Sequence, residues 1–181
     1  MVTTFFASTF EHYQKIMQKI VGQLIYALLI IGSTIALPGI LSTGHSEPAD
    51  RIIVESITSV AFDKIIADRE NRYLIVFMTS WCGPCRKELP QLINLYNKYK
   101  NCGLKIIGIS LDFDGPMAIQ PIIDKSHVNF PVYWINEKAA KKYNVYAVPM
   151  LLLVKEGRIV KKFIGTQSEK FLDKKLADFL R

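Results

Sequence analysis

The chain has 181 residues, half of them hydrophobic, which allows one ordinary domain with a core plus an appendage and excludes global disorder. The formal net charge is +7, but the lysines are scattered without a long basic run or interleaved aromatic residues. This pattern indicates a solvated surface and gives no reason to expect a nucleic-acid partner. The three cysteines are too few for a disulfide-stapled scaffold.

The first predicted element is a membrane-spanning helix. The 22 residues 20–41 contain no charged side chain. At about 1.5 Å per helical residue the run spans about 33 Å, enough for the hydrocarbon layer of a bilayer. A signal peptide cleaved near Thr34-Ile35-Ala36 is the alternative, but the long leader and the full-length run favour an uncleaved signal anchor. A buried core helix is disfavoured because the run has no polar face.

The flanking charges predict the orientation of this anchor. Lys15 and Lys19 precede the run, and no basic residue follows it closely, which places the N-terminus in the cytoplasm. We therefore expect a single-pass protein of the inner (cytoplasmic) membrane with its domain on the periplasmic, extracytoplasmic side. Its predicted parts are a cytoplasmic segment (1–19), a transmembrane signal anchor (20–41), a polar linker (42–50) and a folded domain (51–181).

Strands and helices alternate through the domain. Apolar runs predict strands at 52–54, 73–79, 104–111, 130–135, 150–155 and 158–164. Capping residues and helical spacing predict helices from Thr58 or Ser59 to about 68–71, from the cysteine pair to Cys102-Gly103, at 117–126, at 137–143 and after Ser168. This order predicts an α/β fold, a mixed central sheet with helices on both faces.

The stretch Trp81-Cys82-Gly83-Pro84-Cys85 lies between a predicted buried strand and a predicted helix. On a helix the spacing of the two cysteines places both sulfurs on one face, near enough for a redox disulfide to form and break. Cys82 falls at the helix start, where free N–H groups and the helix dipole favour a thiolate. We expect Cys82 to be the exposed nucleophile and Cys85, one turn further into the fold, to be the resolving cysteine.

Other chemistries fit these residues less well. A zinc site would need a second cysteine pair, and Cys102 with His127 is an unconvincing substitute. A copper chaperone similar to the Sco group would need three residues between its cysteines plus a histidine, and a peroxidase would need a cysteine without such a partner. No metal and no cofactor are therefore expected. Cys102 is expected to be a small, partly buried residue, with a resolving thiol as the alternative.

These motifs together resemble the thioredoxin superfamily. The resemblance rests on the WCGPC motif, on Pro90 five residues after its second cysteine, and on Val148-Pro149 before a hairpin. Within the superfamily the chain is similar to the membrane-anchored TlpA/ResA-like thiol-disulfide oxidoreductases. That similarity rests on three features: the predicted anchor, an extra helix and strand after 108–112, and the CRxExP pattern of 85–90. Plain thioredoxin has a buried acid where this chain has Val76, which leaves Glu88 as the nearest candidate proton relay.

The resemblance implies a thioredoxin-like fold and a membrane-tethered protein-disulfide reductase. The spacer Gly83-Pro84 is similar to that of reducing thioredoxins. Pro149 is implied to be a cis-proline beside the cysteines, so that the Val148 backbone can pair with an extended substrate and Trp81 can offer an apolar contact. The implied partners are protein disulfides or thiols, apocytochrome c among them, and a membrane thiol-electron donor. The alternatives are a protein-disulfide oxidase or isomerase, and a non-catalytic membrane-tethered binding or chaperone module.

Overall fold

The computed structural model describes residues 17–21, which are helical, and residues 51–181. The chain divides into two units, residues 1–46 and 47–181, and the fold below is that of the second unit. Within the described ranges, no helix combines the length and the hydropathy needed to cross a bilayer. Apart from residues 17–21, the predicted cytoplasmic segment (1–19), anchor (20–41) and linker (42–50) lie outside the described residues.

The domain contains six strands and five helices among its described residues. The strands are β1 (Glu55–Ser56), β2 (Arg72–Met78), β3 (Leu104–Ser110), β4 (Val132–Trp134), β5 (Met150–Lys155) and β6 (Arg158–Ile164). The helices are α1 (Ser59–Ala67), α2 (Gly83–Tyr99), α3 (Pro116–Lys125), α4 (Glu137–Lys141) and α5 (Glu169–Leu180). A 3₁₀ turn, Lys100–Cys102, follows α2.

The strands form one sheet in the order β1-β4-β3-β2-β5-β6. The first three contacts in this order are parallel, and β5 and β6 are antiparallel to their neighbours. Strand β2 is central, with Phe77 paired to Ile109 of β3 and to Met150 of β5. The ends of β2 and β3 and the start of β5 therefore lie together; we call this side of the sheet, marked by Met78, Ser110 and Met150, the Cys82 edge.

An apolar layer covers each face of the sheet. On one face, leucines of α2 and α5 pack against alternate side chains of β2 and β5, and Ile119 and Ile123 of α3 belong to the same layer. On the other face, Phe62 of α1 and Tyr143 pack against the remaining side chains of those strands. Two-sided burial explains why β2 is a nearly continuous apolar run. The predicted α/β fold, with a mixed sheet covered on both faces, is confirmed.

The first strand differs from the prediction. It was expected at 52–54, but β1 comprises Glu55–Ser56. The Gln120 side chain of α3 binds the backbone of the apolar run: its Oε1 accepts a hydrogen bond from Val54 N–H (2.8 Å), and its Nε2 donates to Ile52 O (2.9 Å). The side chain takes the hydrogen bonds that a neighbouring strand would otherwise satisfy.

Candidate functional site

The two cysteines form a disulfide at the start of α2. Cys82 is the N-cap residue of the helix, and the Cα atoms of Cys82 and Cys85 are 5.3 Å apart. Pro84 lies in the first turn, where its missing N–H leaves no helical hydrogen bond unmade. The Cys85 N–H donates a hydrogen bond to Cys82 Sγ at 3.1 Å. A donor aimed at Cys82 Sγ, together with the helix N-terminus, would stabilise negative charge on that sulfur.

Both cysteines are buried. Each is only 4% exposed, and both belong to the layer that contains Val76 and the leucines of α2. The expectation that Cys82 is the more exposed of the pair is therefore wrong, since its N-cap position is covered by the surrounding layer. Residue exposure therefore does not distinguish the two cysteines, whereas the hydrogen bond from Cys85 N–H to Cys82 Sγ does.

The Val148–Pro149 segment directly precedes β5, at the Cys82 edge of the sheet. Its peptide bond is cis, Pro149 is buried, and Pro149 O accepts a hydrogen bond from Gly165 N–H at 2.8 Å. Val148 is half-buried and packs against the layer that contains both cysteines. Trp81, by contrast, is 66% exposed, which rules out a role as core filler and leaves its ring free to contact a binding partner.

Glu88 is a fully buried carboxyl group one turn after Cys85. Its Oε1 accepts a hydrogen bond from Gln167 N–H at 2.9 Å, and its Oε2 has no partner among the described residues. Burial raises the pKa of Glu88 to about 7, and the hydrogen bond from Gln167 opposes this only in part. Val76 is buried and apolar, as expected from the sequence. Glu88 is thus a carboxyl group able to exchange a proton near neutral pH on the helix that carries the cysteines.

Asp112 is a buried residue at the Cys82 edge that the sequence interpretation did not single out as a site residue. It is 3% exposed, and its carboxylate accepts hydrogen bonds from Ser80 N–H (2.9 Å), Ser80 Oγ (2.6 Å) and Ser110 Oγ (2.8 Å). These bonds join the segment after β3 to the residue directly before Trp81. An acidic residue placed immediately after a buried parallel strand was the available signal, because such strands end at the same edge of a sheet.

Cys102 lies at the opposite end of α2 from the disulfide. It is free and exposed, so the expectation of a partly buried residue is wrong. The helix ends there in a 3₁₀ turn, and Gly103 follows with a φ of 84°, which turns Cys102 outward at a loop. In the part of the chain that the structure describes, no group of three His, Cys, Asp or Glu residues is arranged to hold a metal ion.

Comparisons with known proteins agree with this geometry. Residues 55–163 match the AhpC/TSA family. The thiol-disulfide oxidoreductase ResA of a Bacillus cereus strain is 35% identical over 101 residues, and the match spans 54% of this chain and only 57% of that relative. The sporulation thiol-disulfide oxidoreductase A of Bacillus subtilis is 25% identical over 142 residues, covering 76% of this chain and 86% of that protein.

A solved structure supports the fold independently. A thiol:disulfide interchange protein of the thioredoxin family from Chlorobium tepidum TLS superposes with a TM-score of 0.58 at 17% identity, over 66% of this chain and 85% of that one. The fold is therefore thioredoxin-like. Because the family match covers more than half of the chain, this protein belongs to the AhpC/TSA family and is similar, within it, to ResA-type thiol-disulfide oxidoreductases.

Proposed function

We propose that this protein is a thiol-disulfide oxidoreductase that acts through Cys82 and Cys85. In the reductive direction, Cys82 thiolate attacks one sulfur of a substrate disulfide and displaces the other as a thiolate. Cys85 thiolate then displaces the substrate sulfur from Cys82, which leaves the substrate as a dithiol and the protein as the Cys82–Cys85 disulfide. The observation that carries this proposal is that disulfide at the N-terminus of α2, with Cys85 N–H donating to Cys82 Sγ.

The surrounding residues have complementary roles in the proposal. Val148 pairs through its backbone with an extended substrate segment. Pro149 has no N–H to donate to a neighbouring strand of the protein, so the position beside the disulfide stays available to the substrate. Trp81 provides an apolar contact, and Gly83 and Pro84 form the turn between the sulfurs. Glu88 relays a proton during the cycle, since its raised pKa allows it to give and take one near neutral pH.

We further propose that the protein works as a reductase on the extracytoplasmic side of the inner membrane, anchored by residues 20–41. The Gly83-Pro84 spacer supports the reductive direction. Electrons would come from a membrane thiol-electron donor, because cytosolic reductants do not reach that compartment. Apocytochrome c and other envelope proteins are the proposed substrates, by similarity to the TlpA/ResA-like group.

The test uses the full-length protein purified in detergent, with dithiothreitol as electron source and insulin as disulfide substrate. We expect the protein to accelerate insulin reduction, Cys82→Ser to abolish the effect, and Cys102→Ser, the matched control, to leave it intact. Full activity in Cys82→Ser would refute the proposed role of Cys82, and no activity in the wild-type protein would favour a non-catalytic module. The reduction potential of the Cys82–Cys85 pair tests the direction of electron flow: a value of about −270 mV supports a reductase, and one of about −120 mV supports an oxidase.

A further inference from the structure

We propose that an apolar rim beside the disulfide, formed by Trp81, Phe113, Met117 and Tyr146, selects protein substrates whose reactive cysteine is flanked by apolar residues in an extended segment. Phe113 and Met117 are its specificity-determining residues. The inference rests on the proposed function, because the substrate is the molecule that carries the disulfide to Cys82.

The rim stands out by exposure. Phe113 is 80% exposed, Tyr146 74%, Met117 73% and Trp81 66%, and these are the four most exposed large apolar side chains among the described residues. Single exposed apolar residues are ordinary on a soluble surface, but a group of large ones marks a contact site.

The sheet places all four residues at the Cys82 edge. Trp81 follows β2, Phe113 and Met117 follow β3 on one side of it, and Tyr146 precedes β5 on the other side. Because neighbouring strands lie about 4.8 Å apart, the segment that leaves β3 and the segment that enters β5 begin on either side of the one that carries Trp81. The strand order therefore assigns the rim to the same edge of the sheet as the disulfide.

Hydrogen bonds fix the β3 side of the rim. Leu111 N–H donates to Met78 O at 3.0 Å, and the Asp112 carboxylate binds Ser80 N–H at 2.9 Å. Trp134 Nε1–H donates to Asp112 O at 2.7 Å. Asp112 is thus bonded to Ser80, and the residues that follow these two, Phe113 and Trp81, leave from a loop that hydrogen bonds hold in place.

The burial of the two cysteines indicates which part of a substrate lies on this rim. Cys82 and Cys85 are each 4% exposed, so a substrate sulfur reaches bonding distance only if its own chain lies across the edge. An extended chain advances about 3.3 Å per residue, so residues one to three positions from the substrate cysteine reach the strands on either side of β2. Those flanking side chains meet Phe113 and Met117 on the β3 side. Apolar flanking residues are then favoured, since they bury the exposed rings and thioether while polar ones do not.

The experiment compares two peptides that differ only beside their cysteine. Both peptides are extended and carry one cysteine as a mixed disulfide with cysteamine. In one peptide the three residues on each side of this cysteine are leucines, and in the other they are serines. The reduced full-length protein is mixed with each peptide, and the second-order rate constants for cysteamine release are measured. We expect the wild-type protein to prefer the leucine peptide by about tenfold, and Phe113→Ser/Met117→Ser to lower that ratio to about twofold or less.

Controls separate this inference from the proposed function. The ratio is taken within each protein, so a general loss of activity cancels, and Phe113→Leu should keep the preference because it keeps an apolar side chain. Val160→Ser, an exposed apolar position on β6, should also keep it. A wild-type ratio near one, or an unchanged ratio in the double variant, would overturn the rim as a selecting surface. Failure of the reduced wild-type protein to attack even cystamine would instead overturn the oxidoreductase proposal itself.

Discussion

Replacing Glu88 by glutamine tests the assignment of a raised pKa to this buried carboxyl group. The pKa of Glu88 is about 7 in the folded protein against 4.5 as the ordinary value, with burial as the main cause. The folded state therefore binds the proton more tightly than the unfolded state. Glu88 contributes stability that is fully present below pH 4.5 and is lost as the pH rises through about 7.

The size of the effect follows from the difference between the two pKa values. The pKa of Glu88 rises from 4.5 in the unfolded chain to about 7 in the folded protein. At 1.36 kcal/mol per unit this corresponds to about 3 kcal/mol of stability lost between those pH values. Glu88→Gln has no such loss and keeps a carbonyl oxygen for Gln167 N–H. Its unfolding free energy, relative to wild type, should therefore rise by up to about 3 kcal/mol across this range and level off above it.

The assay is urea denaturation of the full-length, oxidised protein at several pH values, followed by the fluorescence of Trp81 and Trp134. With the disulfide intact, neither Cys82 nor Cys85 titrates, and other groups cancel when the variant is compared with wild type at each pH. Glu88→Leu provides a matched control. Its unfolding free energy will differ from that of wild type by another constant amount, but the part of this difference that changes with pH should be the same as for Glu88→Gln. A difference that stays constant from pH 5 to 8, or that falls with pH, would refute the raised pKa.

Two further predictions concern stability. Asp112→Ala removes the acceptor of the hydrogen bonds from Ser80 and Ser110 and should lower the unfolding free energy by about 2 kcal/mol or more in the same urea assay; a change below about 0.5 kcal/mol would show that water replaces the carboxylate. Phe62→Ala should cost about 3–5 kcal/mol, because Phe62 is fully buried and packs edge-to-face on Phe77 and Tyr143. A loss below about 1 kcal/mol for this variant would mean that the layer around α1 collapses onto the gap.

Local sequence signals predicted many of the element boundaries. The N-caps Thr58 and Ser168 accept the hydrogen bonds that cap α1 and α5, as expected. The hairpin of β5 and β6 has its predicted bounds, with the turn residues Glu156 and Gly157 at φ values of 56° and 73°. Such signals are readable because the side chain or the backbone preference acts within a few residues of the boundary it sets.

Features that depend on distant contacts were not readable in the same way. The run 52–54 is as apolar as a strand, yet Gln120, 66 residues from Val54, takes its backbone hydrogen bonds. At the site, the motifs located the cysteines, Glu88 and Pro149, but the equal burial of Cys82 and Cys85 depends on the layer assembled around them. Asp112 likewise acquires its partner Ser80 only when the ends of β2 and β3 come together.

Two buried carboxyl groups lie on the segments around the cysteine pair, and they differ in their hydrogen bonds. Asp112 has donors on both oxygens, from Ser80 and Ser110, so it fixes the loop that leads into Trp81. Glu88 has a donor on one oxygen only, and its pKa is raised to about 7 by burial. Reduction of a disulfide to a dithiol adds protons as well as electrons, and both cysteine residues are only 4% exposed to bulk water. Glu88, with one oxygen that lacks a partner among the described residues and a raised pKa, therefore has the two properties that the proposed proton relay requires.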